Sequence, residues 1–376
     1  MKTVLYICDC SIIAGSSLSL INMIESLGTS IKPIVAVSAE GPISDYCEKN
    51  NIRCIVSPFR YNYYKYKGNW LYGIKVKVGF IYKSFITNRK FINDVVLALK
   101  DENVNIVHTN SSAVPVGTVI AKRLHAKHVW HVREFLGYFN NAKILGGKKK
   151  LMRDIKRADA VICSSHPLIN YLSLENHPNV QCIWDAVKKK NDTCINEKKE
   201  KYFVFCCGEL SEFKGADYLV DTFGKSRLSE DGYHLLMIGK CHDFYKKELL
   251  EIAKKYNAQS NIIFNGFANE QQIKDKFSKA TAFIQCSKIE GLGRVVIEAM
   301  FYGCPVIARN NGGTADIITN EQNGFLFNTK EELILRMKQL SQQQSSEVAK
   351  KAQEFAVASF SIEDFGNKIL KVYNSL

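Results

Sequence analysis

The sequence has no uninterrupted apolar run of the roughly 18 to 20 residues that a membrane-spanning helix needs. Its first apolar stretch, 3–8, meets Asp9 without a small-residue cleavage site, so we interpret it as a first β-strand and not as a signal peptide. Together these absences favour a protein that stays in the cytoplasm, which is the location we expect.

CxxC spacing is also missing, although the chain has 12 cysteines. Zinc sites commonly use such pairs, and a chain of 376 residues can build its core without disulfides. Several cysteines stand in apolar, strand-like runs, as Cys206 and Cys207 do. We therefore predict buried free thiols, no disulfide framework and no metal site.

Acidic residues are scarce relative to basic ones, since 37 Asp and Glu stand against 51 Lys and Arg, a formal net charge of +14. This balance favours an anionic partner: nucleic acid, an acidic membrane surface or a phosphate-bearing substrate. The excess concentrates at 59–100, 148–150 and 188–199, and we interpret the last run as solvated loop. The hydrophobic fraction of 46% is ordinary for globular proteins and excludes a disordered or collagen-like chain.

Short β-rich runs alternate with amphipathic helical stretches along the chain, with one polar interruption at Asp192–Lys199. Strand, helix and strand in series predict parallel sheets, so the expected fold class is α/β with two doubly wound, Rossmann-like domains. We place the domains at 1–190 and 191–360, followed by a C-terminal helix at 361–376. Ligands of such sheets bind beyond the carboxyl ends of the strands. The predicted strands are 3–8, 33–38, 52–57, 105–109, 128–132, 160–163, 180–184, 202–207, 233–238, 261–264, 282–286, 305–308 and 325–327.

The strongest motif runs from 287 to 300, where the chain leaves a predicted strand, passes a glycine-containing turn and enters a helix. Backbone amides at such a helix start form an anion site suited to a diphosphate. Glu298 lies about 7 to 8 Å along the helix from Gly293, comparable to the reach from diphosphate to ribose in a sugar nucleotide. Glu290 and Glu298 can then accept hydrogen bonds from sugar and ribose hydroxyls. An isolated glutamate pair is more often solvated, but the glycines and Pro305 in register favour a ligand site.

The frame of this motif resembles the retaining glycosyltransferases of family 4, part of the glycosyl transferases group 1. The resemblance implies the GT-B fold, in which two Rossmann-like domains face each other across a cleft and the C-terminal helix returns to the first domain. It covers nearly the whole chain, most densely from 208 to 327. The segments that carry it are Glu290-Gly291-Leu292-Gly293, Glu298-Ala299-Met300, Gly303-Cys304-Pro305-Val306-Ile307-Ala308, Asn311-Gly312-Gly313, Asn323-Gly324, Cys207-Gly208-Glu209-Leu210, Lys214-Gly215, Ala14-Gly15, His131 and the helix with Tyr373.

The resemblance also implies roles for individual residues, without any metal or other cofactor. Lys214 would neutralise the diphosphate leaving group, Glu290 would hold sugar hydroxyls, and His131 would lie near the transferred sugar. Glu298 would bind the ribose, and Gly15 would let backbone approach the phosphates. The amides that would face the donor belong to Gly291, Leu292, Gly293, Arg294 and Val295.

One position departs from the family pattern, because Glu209 stands where the family usually has an arginine, five residues before Lys214. A carboxylate that faced inward there would repel a diphosphate. Either Glu209 points away, or another cation such as Arg133 or Arg294 supplies the missing charge.

The resemblance implies an enzyme that moves a sugar from a nucleotide-diphosphate sugar, by default a UDP-sugar, to a hydroxyl of a lipid-linked or growing surface glycan. A sugar-nucleotide epimerase of the same fold would instead consume donor without an acceptor. A non-enzymatic binder of an anionic polymer would explain the net charge by itself. However, the chain has no recognisable RNA-binding segment, so we expect no nucleic-acid partner.

The basic stretch 60–100 interleaves lysines with aromatic residues and contains one acid, Asp94. Lysines attract anionic lipid headgroups and aromatic rings favour the membrane interface, so we predict peripheral binding to an anionic membrane surface. The alternative is a solvated helical insertion whose tyrosines pack on the domain. This stretch follows the third predicted strand, in the half that binds acceptor in the resembling enzymes.

Overall fold

The computed structural model describes residues 1–8, 15–65, 70–138, 142–342 and 346–376. The chain divides into two compact units, one formed by Met1–Ala186 with Ile362–Leu376 and the other by Val187–Ser361. We call them the first and the second domain. Within the described residues, no helix is both long enough and apolar enough to span a membrane.

The first domain is built on a parallel sheet, because buried apolar strands alternate with helices that return the chain to the starting edge. Its strands are β1 (Lys2–Cys8), β2 (Ile31–Val37), β3 (Arg53–Val56), β4 (Tyr63–Tyr64), β5 (Ile106–Asn110), β6 (Lys127–Val132), β7 (Lys143–Ile144), β8 (Ala160–Cys163) and β9 (Val180–Cys182). Its helices include α1 (Gly15–Leu27), α2 (Pro42–Lys49), α3 (Trp70–Ala98), α4 (Gly117–Arg123), α5 (Gly147–Ile155) and α6 (His166–Tyr171). Seven strands pair in the order β3-β2-β1-β5-β6-β8-β9, and β4 and β7 form a separate antiparallel ribbon.

The second domain repeats this plan. Its strands are β10 (Glu200–Glu209), β11 (His234–Lys240), β12 (Ile262–Gly266), β13 (Ala280–Gln285), β14 (Val306–Arg309) and β15 (Phe325–Phe327). Its helices are α7 (Ala216–Ser226), α8 (Asp243–Lys254), α9 (Glu270–Lys279), α10 (Arg294–Phe301), α11 (Gly312–Ile317), α12 (Lys330–Gln342) and α13 (Ser346–Phe360). The strands pair in parallel in the order β12-β11-β10-β13-β14-β15. Phenylalanines of β10 and α7, Phe203 and Phe223 among them, are fully buried in its core.

The last helix, α14 (Ile362–Asn374), belongs to the first domain and packs on α1. Ser26 joins the two helices, because its hydroxyl donates to the Ile362 carbonyl and accepts from the Gly366 amide. Phe365, Ile369 and Tyr373 fill the core that α1 shares with β1 and β2. The predicted return of the C-terminal helix to the first domain is therefore confirmed.

The predicted alternation of strands and helices is also confirmed, with differences of a few residues at element ends. The β4–β7 ribbon was missed, because strands of two residues leave no periodic pattern in the sequence. Every cysteine that the structure describes is a free thiol, as predicted, but only some of those described are fully buried, such as Cys163 and Cys286.

The interpretation of 188–199 as solvated loop is wrong for two of its lysines. Lys188 is largely buried and pairs with Glu270. The Lys199 Nζ donates to the carbonyls of Ser278 and Gly303, at 2.7 and 2.9 Å. Carbonyls at the ends of α9 and α10 attract the Lys199 ammonium, and the Glu270 carboxylate attracts Lys188, so both lysines tie the segment to its domain instead of facing water.

Candidate active site

The sheet of the second domain has a switch point between β10 and β13. From β10 the chain proceeds outward to β11 and β12, whereas β13, β14 and β15 extend in the opposite direction. The loops that follow β10 and β13 therefore diverge and leave a crevice at the carboxyl ends of the strands, which is where open α/β sheets bind ligands. Lys214 lies in the first of these loops and Glu290 in the second.

Lys214 and Glu290 meet across this switch point. The Lys214 Nζ lies 2.7 Å from the Glu290 Oε1, which also accepts from the Ser287 hydroxyl at 2.6 Å. The side chains are 29% and 22% exposed, so a solvent-borne ligand can reach the pair. Burial lowers the pKa of Lys214, but the charge and hydrogen bond of Glu290 outweigh it and leave the pKa raised. The ammonium therefore stays charged at neutral pH.

Two glycines let the loops of this site approach in backbone contact. Gly215 has a φ of +79°, and a Cβ there would lie 2.3 Å from the Cys286 carbonyl oxygen. A Cβ at Gly313 would lie 2.4 Å from the Gly291 carbonyl oxygen. Any other residue would push apart the segments that carry Lys214 and Glu290, so the Lys214-Gly215 and Asn311-Gly312-Gly313 motifs have a structural reason here.

Helix α10 begins beside the pair. Gly293, with a φ of +95°, turns the chain into the helix at Arg294. Glu298 lies in the middle of α10 and is partly buried. Burial raises its pKa, and the charges of Arg294 and Lys188 oppose that effect. The remaining predicted donor-binding residues stand at the start of the helix, where Gly291 and Leu292 are buried and Val295 is half-buried.

Glu209, which replaces the arginine of the family pattern, ends β10 and is largely exposed. Its Oε1 lies 3.4 Å from His242 Nε2. Arg133 belongs to the first domain and pairs with Asp185 there. Arg133 and Arg294 were the two cations proposed to replace the arginine of the family pattern. Arg294 belongs to the second domain, where its charge acts on Glu298.

His131 lies on β6 of the first domain and is fully buried. Its Nδ1 is 3.3 Å from His108 Nε2 and 3.2 Å from Arg133 Nη2, and its Nε2 is 3.5 Å from Asp185 Oδ1. Burial, the charge of Arg133 and the neighbouring His108 hold the pKa of His131 well below its ordinary value. The ring is therefore neutral at pH 7, and its predicted role toward the sugar stays a prediction.

The His131 cluster reaches the C-terminal helix. The Tyr373 hydroxyl lies 2.7 Å from His108 Nδ1 and 3.1 Å from the Tyr6 hydroxyl. Because the Tyr373 hydroxyl donates to the Tyr6 hydroxyl, its oxygen can accept a hydrogen bond from a proton on His108 Nδ1. The sequence pointed to His131 and to the helix with Tyr373, but not to His108 or Asp185, because neither belongs to one of the recognised motifs.

Gly15 is exposed at the start of α1, next to Ser16, whose carbonyl accepts from Asn110 Nδ2 at 3.2 Å. Ala14 lies outside the described residues. The structure thus brings Lys214, Glu290 and the α10 residues together in the second domain, whereas His131 and Gly15 belong to the first. Ser287 was part of the quoted motif but was given no role, although its position directly after a strand could have indicated one.

The two parallel-sheet domains define the GT-B class, and comparison with solved structures agrees. HepE of Anabaena, solved in complex with UDP and glucose, superposes with a TM-score of 0.79 at 19% identity, over all of both chains. The predicted fold class is confirmed.

The family follows from the sequence of the second domain and part of α14. Residues 187–369 match the family model of the glycosyl transferases group 1. The prediction of a group 1 glycosyltransferase is therefore confirmed.

Two curated relatives are similar over part of their length. An uncharacterized 41.2 kDa protein in the cps region of Klebsiella pneumoniae is 26% identical over 209 residues, 55% of this chain and 54% of that protein. The lipopolysaccharide core biosynthesis mannosyltransferase LpsB of Rhizobium meliloti is 26% identical over 186 residues, 46% of this chain and 52% of that protein. The chain spans about half the length of these relatives.

Proposed function

We propose that the protein is a retaining glycosyltransferase of family 4 that moves a sugar from a nucleotide-diphosphate sugar to an acceptor hydroxyl. The observation that carries this proposal is the accessible Lys214–Glu290 pair at the switch point of the second domain. A cation and a carboxylate side by side can bind the two halves of a sugar nucleotide, phosphate and sugar hydroxyls. The group 1 family match over the same residues supports this reading.

In this proposal the leaving diphosphate takes the place of Glu290 beside the Lys214 ammonium. Departure of the nucleotide diphosphate builds positive charge at the anomeric carbon and negative charge on the phosphates. Lys214 and the amides from Gly291 to Val295 stabilise the phosphate charge, so no divalent ion is needed. Glu290 holds sugar hydroxyls, Glu298 accepts from the ribose, and the acceptor attacks from the face that the leaving group vacates.

We propose a UDP-sugar as donor and a lipid-linked or growing surface glycan as acceptor, bound on the side of the first domain. UDP is favoured over GDP because HepE was solved with UDP and glucose. The acceptor class is supported by LpsB, named for lipopolysaccharide core biosynthesis, and by the relative in a cps region. We propose that the protein acts in the cytoplasm, peripheral to the inner face of the membrane that would carry a lipid-linked acceptor.

A thermal-shift screen in excess EDTA tests this proposal with UDP, UDP-glucose, GDP and GDP-mannose. A ligand at about a hundred times its dissociation constant adds about 2.7 kcal/mol to the free energy of unfolding, so UDP ligands should raise the unfolding temperature. Lys214→Ala should abolish the shift, and Lys288→Ala should keep it, because Lys288 is exposed and pairs with Glu212 instead.

Stereochemistry then tests the reaction. With UDP-sugar and a glycan acceptor, the new bond should keep the anomeric configuration of the donor, as read by NMR of the product. No shift with any nucleotide sugar, or an inverted product, would contradict the proposal. Conversion of the donor sugar without an acceptor would indicate an epimerase instead.

A further inference from the structure

Helix α3 is longer than the sheet it covers. Its 29 residues span about 43 Å at about 1.5 Å per residue, whereas the five residues of β5 span about 17 Å. A crossover helix runs antiparallel to its strands, so its first half lies toward and past the carboxyl edge of the sheet. The buried residues agree, because Phe91 and Val95 in the second half join the core and Ser84 is the first fully buried one among residues 75–98.

The first half of α3 carries an apolar stripe that faces water. Five large side chains recur at spacings of three and four residues, which places them on one face of the helix. Each of these side chains is between 42% and 67% exposed, whereas the opposite face holds the buried Ser84, Phe91 and Val95. Residues of this stripe, which we call the α3 stripe, are Val78 (60%), Ile81 (42%), Tyr82 (67%), Phe85 (63%) and Ile86 (50%).

Basic side chains surround the α3 stripe. From Arg60 to Lys90 the sequence has eight Lys and Arg and no Asp or Glu. Lys75 lies three residues before Val78, and Arg89 three residues after Ile86, so both continue the line of the stripe. Lys83 and Lys90 lie seven residues apart along one flank, and all four are exposed. Asp94, the nearest acid in sequence, is turned to the Ser57 hydroxyl at 2.6 Å.

A second basic cluster is tethered to this region. The β4–β7 ribbon pairs Tyr63 with Ile144, and the Leu145 amide donates to the Asn62 carbonyl at 2.7 Å. The exposed run 148–150, all lysine, begins three residues later at the start of α5. The ribbon thus holds these lysines near the segment that leads into α3.

We propose that the α3 stripe and its lysines dock the protein on the surface of an anionic lipid bilayer. An apolar helix face framed by cations is the pattern of a helix that lies in the membrane interface, with its rings among the headgroups. A second copy fits poorly, because a symmetric contact would place the same basic residues against each other. The proposal does not depend on the transferase activity, since docking needs no sugar donor.

Flotation of the full-length protein with liposomes tests this surface. Recovery should be high with phosphatidylcholine vesicles that contain phosphatidylglycerol, low with phosphatidylcholine alone, and should fall as salt rises. Lys75→Gln, Lys83→Gln and Lys90→Gln together should weaken binding roughly 100-fold, at about fivefold per lysine. Ile81→Ser with Phe85→Ser should weaken it about tenfold or more, because apolar area no longer leaves water.

Matched variants of the second domain serve as controls. Phe244 and Phe267 are at least as exposed as Phe85, so Phe244→Ser with Phe267→Ser removes similar apolar surface. Lys247→Gln, Lys254→Gln and Lys255→Gln remove the same charge from exposed positions. Both control sets should float like the wild type, and all variants should keep its unfolding temperature, because the substituted side chains are exposed.

Several results would overturn the proposal: equal recovery on neutral vesicles, no recovery on anionic ones, or recovery unchanged by the α3 substitutions. A concentration-dependent dimer in light scattering that Phe85→Ser dissolves would assign the α3 stripe to a second copy instead. A protein that floats as expected but transfers no sugar would leave docking standing and contradict only the proposed function.

Discussion

Two ion pairs of this protein have similar chemistry and opposite surroundings. The Arg133–Asp185 pair of the first domain has side chains only 5% exposed, with His131 against it. The Lys214–Glu290 pair of the second domain is partly exposed. Loss of either member of a buried pair leaves the other charge buried without a partner, which destabilises the fold. An accessible pair can instead exchange one partner for a ligand. The comparison therefore separates an ion pair that the fold needs from one that a ligand can enter.

The largest expected effect concerns the buried pair. Asp185→Ala leaves the Arg133 guanidinium without its counter-charge, which should lower the free energy of unfolding by about 3 to 5 kcal/mol. Urea unfolding followed by circular dichroism measures this loss. Asp101→Ala removes an exposed acid that lies 3.9 Å from Lys100, and should change stability by less than about 1 kcal/mol. Similar losses in both variants would show that burial does not distinguish these pairs.

The accessible pair should matter to turnover and not to folding. Lys214→Ala should lower kcat by about 10²- to 10³-fold, as loss of a preorganised contact to a leaving group does, while the unfolding temperature changes little. Lys288→Ala, two residues from Glu290, should retain activity. Wild-type activity should persist in excess EDTA, and its abolition by chelation would refute a mechanism that relies on Lys214 alone.

Within the second domain the two glutamates should behave differently. Glu298→Ala should weaken UDP binding by roughly 10- to 150-fold, the equivalent of about 1.5 to 3 kcal/mol for charged hydrogen bonds. Glu290→Ala should reduce turnover more than UDP affinity, because Glu290 is assigned to the sugar. Calorimetric titration of both variants with UDP and with UDP-sugar separates these roles, and identical losses for the two ligands in Glu290→Ala would contradict its assignment.

The buried histidines of the first domain should make stability depend on pH. Burial lowers the pKa of His128 to about 4 and also lowers the pKa of His108 and His131. The unfolded chain takes up these protons near pH 6.5, so stability is present above that pH and is lost as the pH falls toward the folded pKa. Each histidine contributes up to about 1.4 kcal/mol per pH unit. Urea unfolding between pH 7 and 5 should show this loss, and a flat profile would contradict it.

The candidate site of the second domain could be located from the sequence, because the motifs that mark it are local. Gly313 packs against the backbone of Gly291, Gly293 turns the chain at a φ of +95°, and Glu290 and Glu298 stand at fixed intervals from these glycines. A site built from one loop and one helix start can be read along the chain. The contact of Glu290 with Lys214 was not predicted, because the family resemblance gave each residue a separate role toward the donor and the two positions are distant in sequence.

The cluster around His131 could not be predicted in the same way. His108, Asp185 and Tyr373 come from β5, the segment after β9 and α14, and only the folded sheet brings them together. The exposed face of α3 could not be predicted from the sequence either, because the apolar residues of this helix are interleaved with lysines over its whole first half. Which apolar side chains face water depends on where the sheet ends, and sheet length is a tertiary property.

Lys214, beside Glu290 in the second domain, should hold the donor diphosphate without a metal. Calorimetric titration of UDP in excess EDTA tests it most directly, with wild type, Lys214→Ala and Lys288→Ala compared at one pH. We expect binding to the wild type and to Lys288→Ala, and affinity at least about tenfold weaker for Lys214→Ala. Equal UDP affinity in all three proteins, or binding by the wild type that requires a divalent cation, would contradict it.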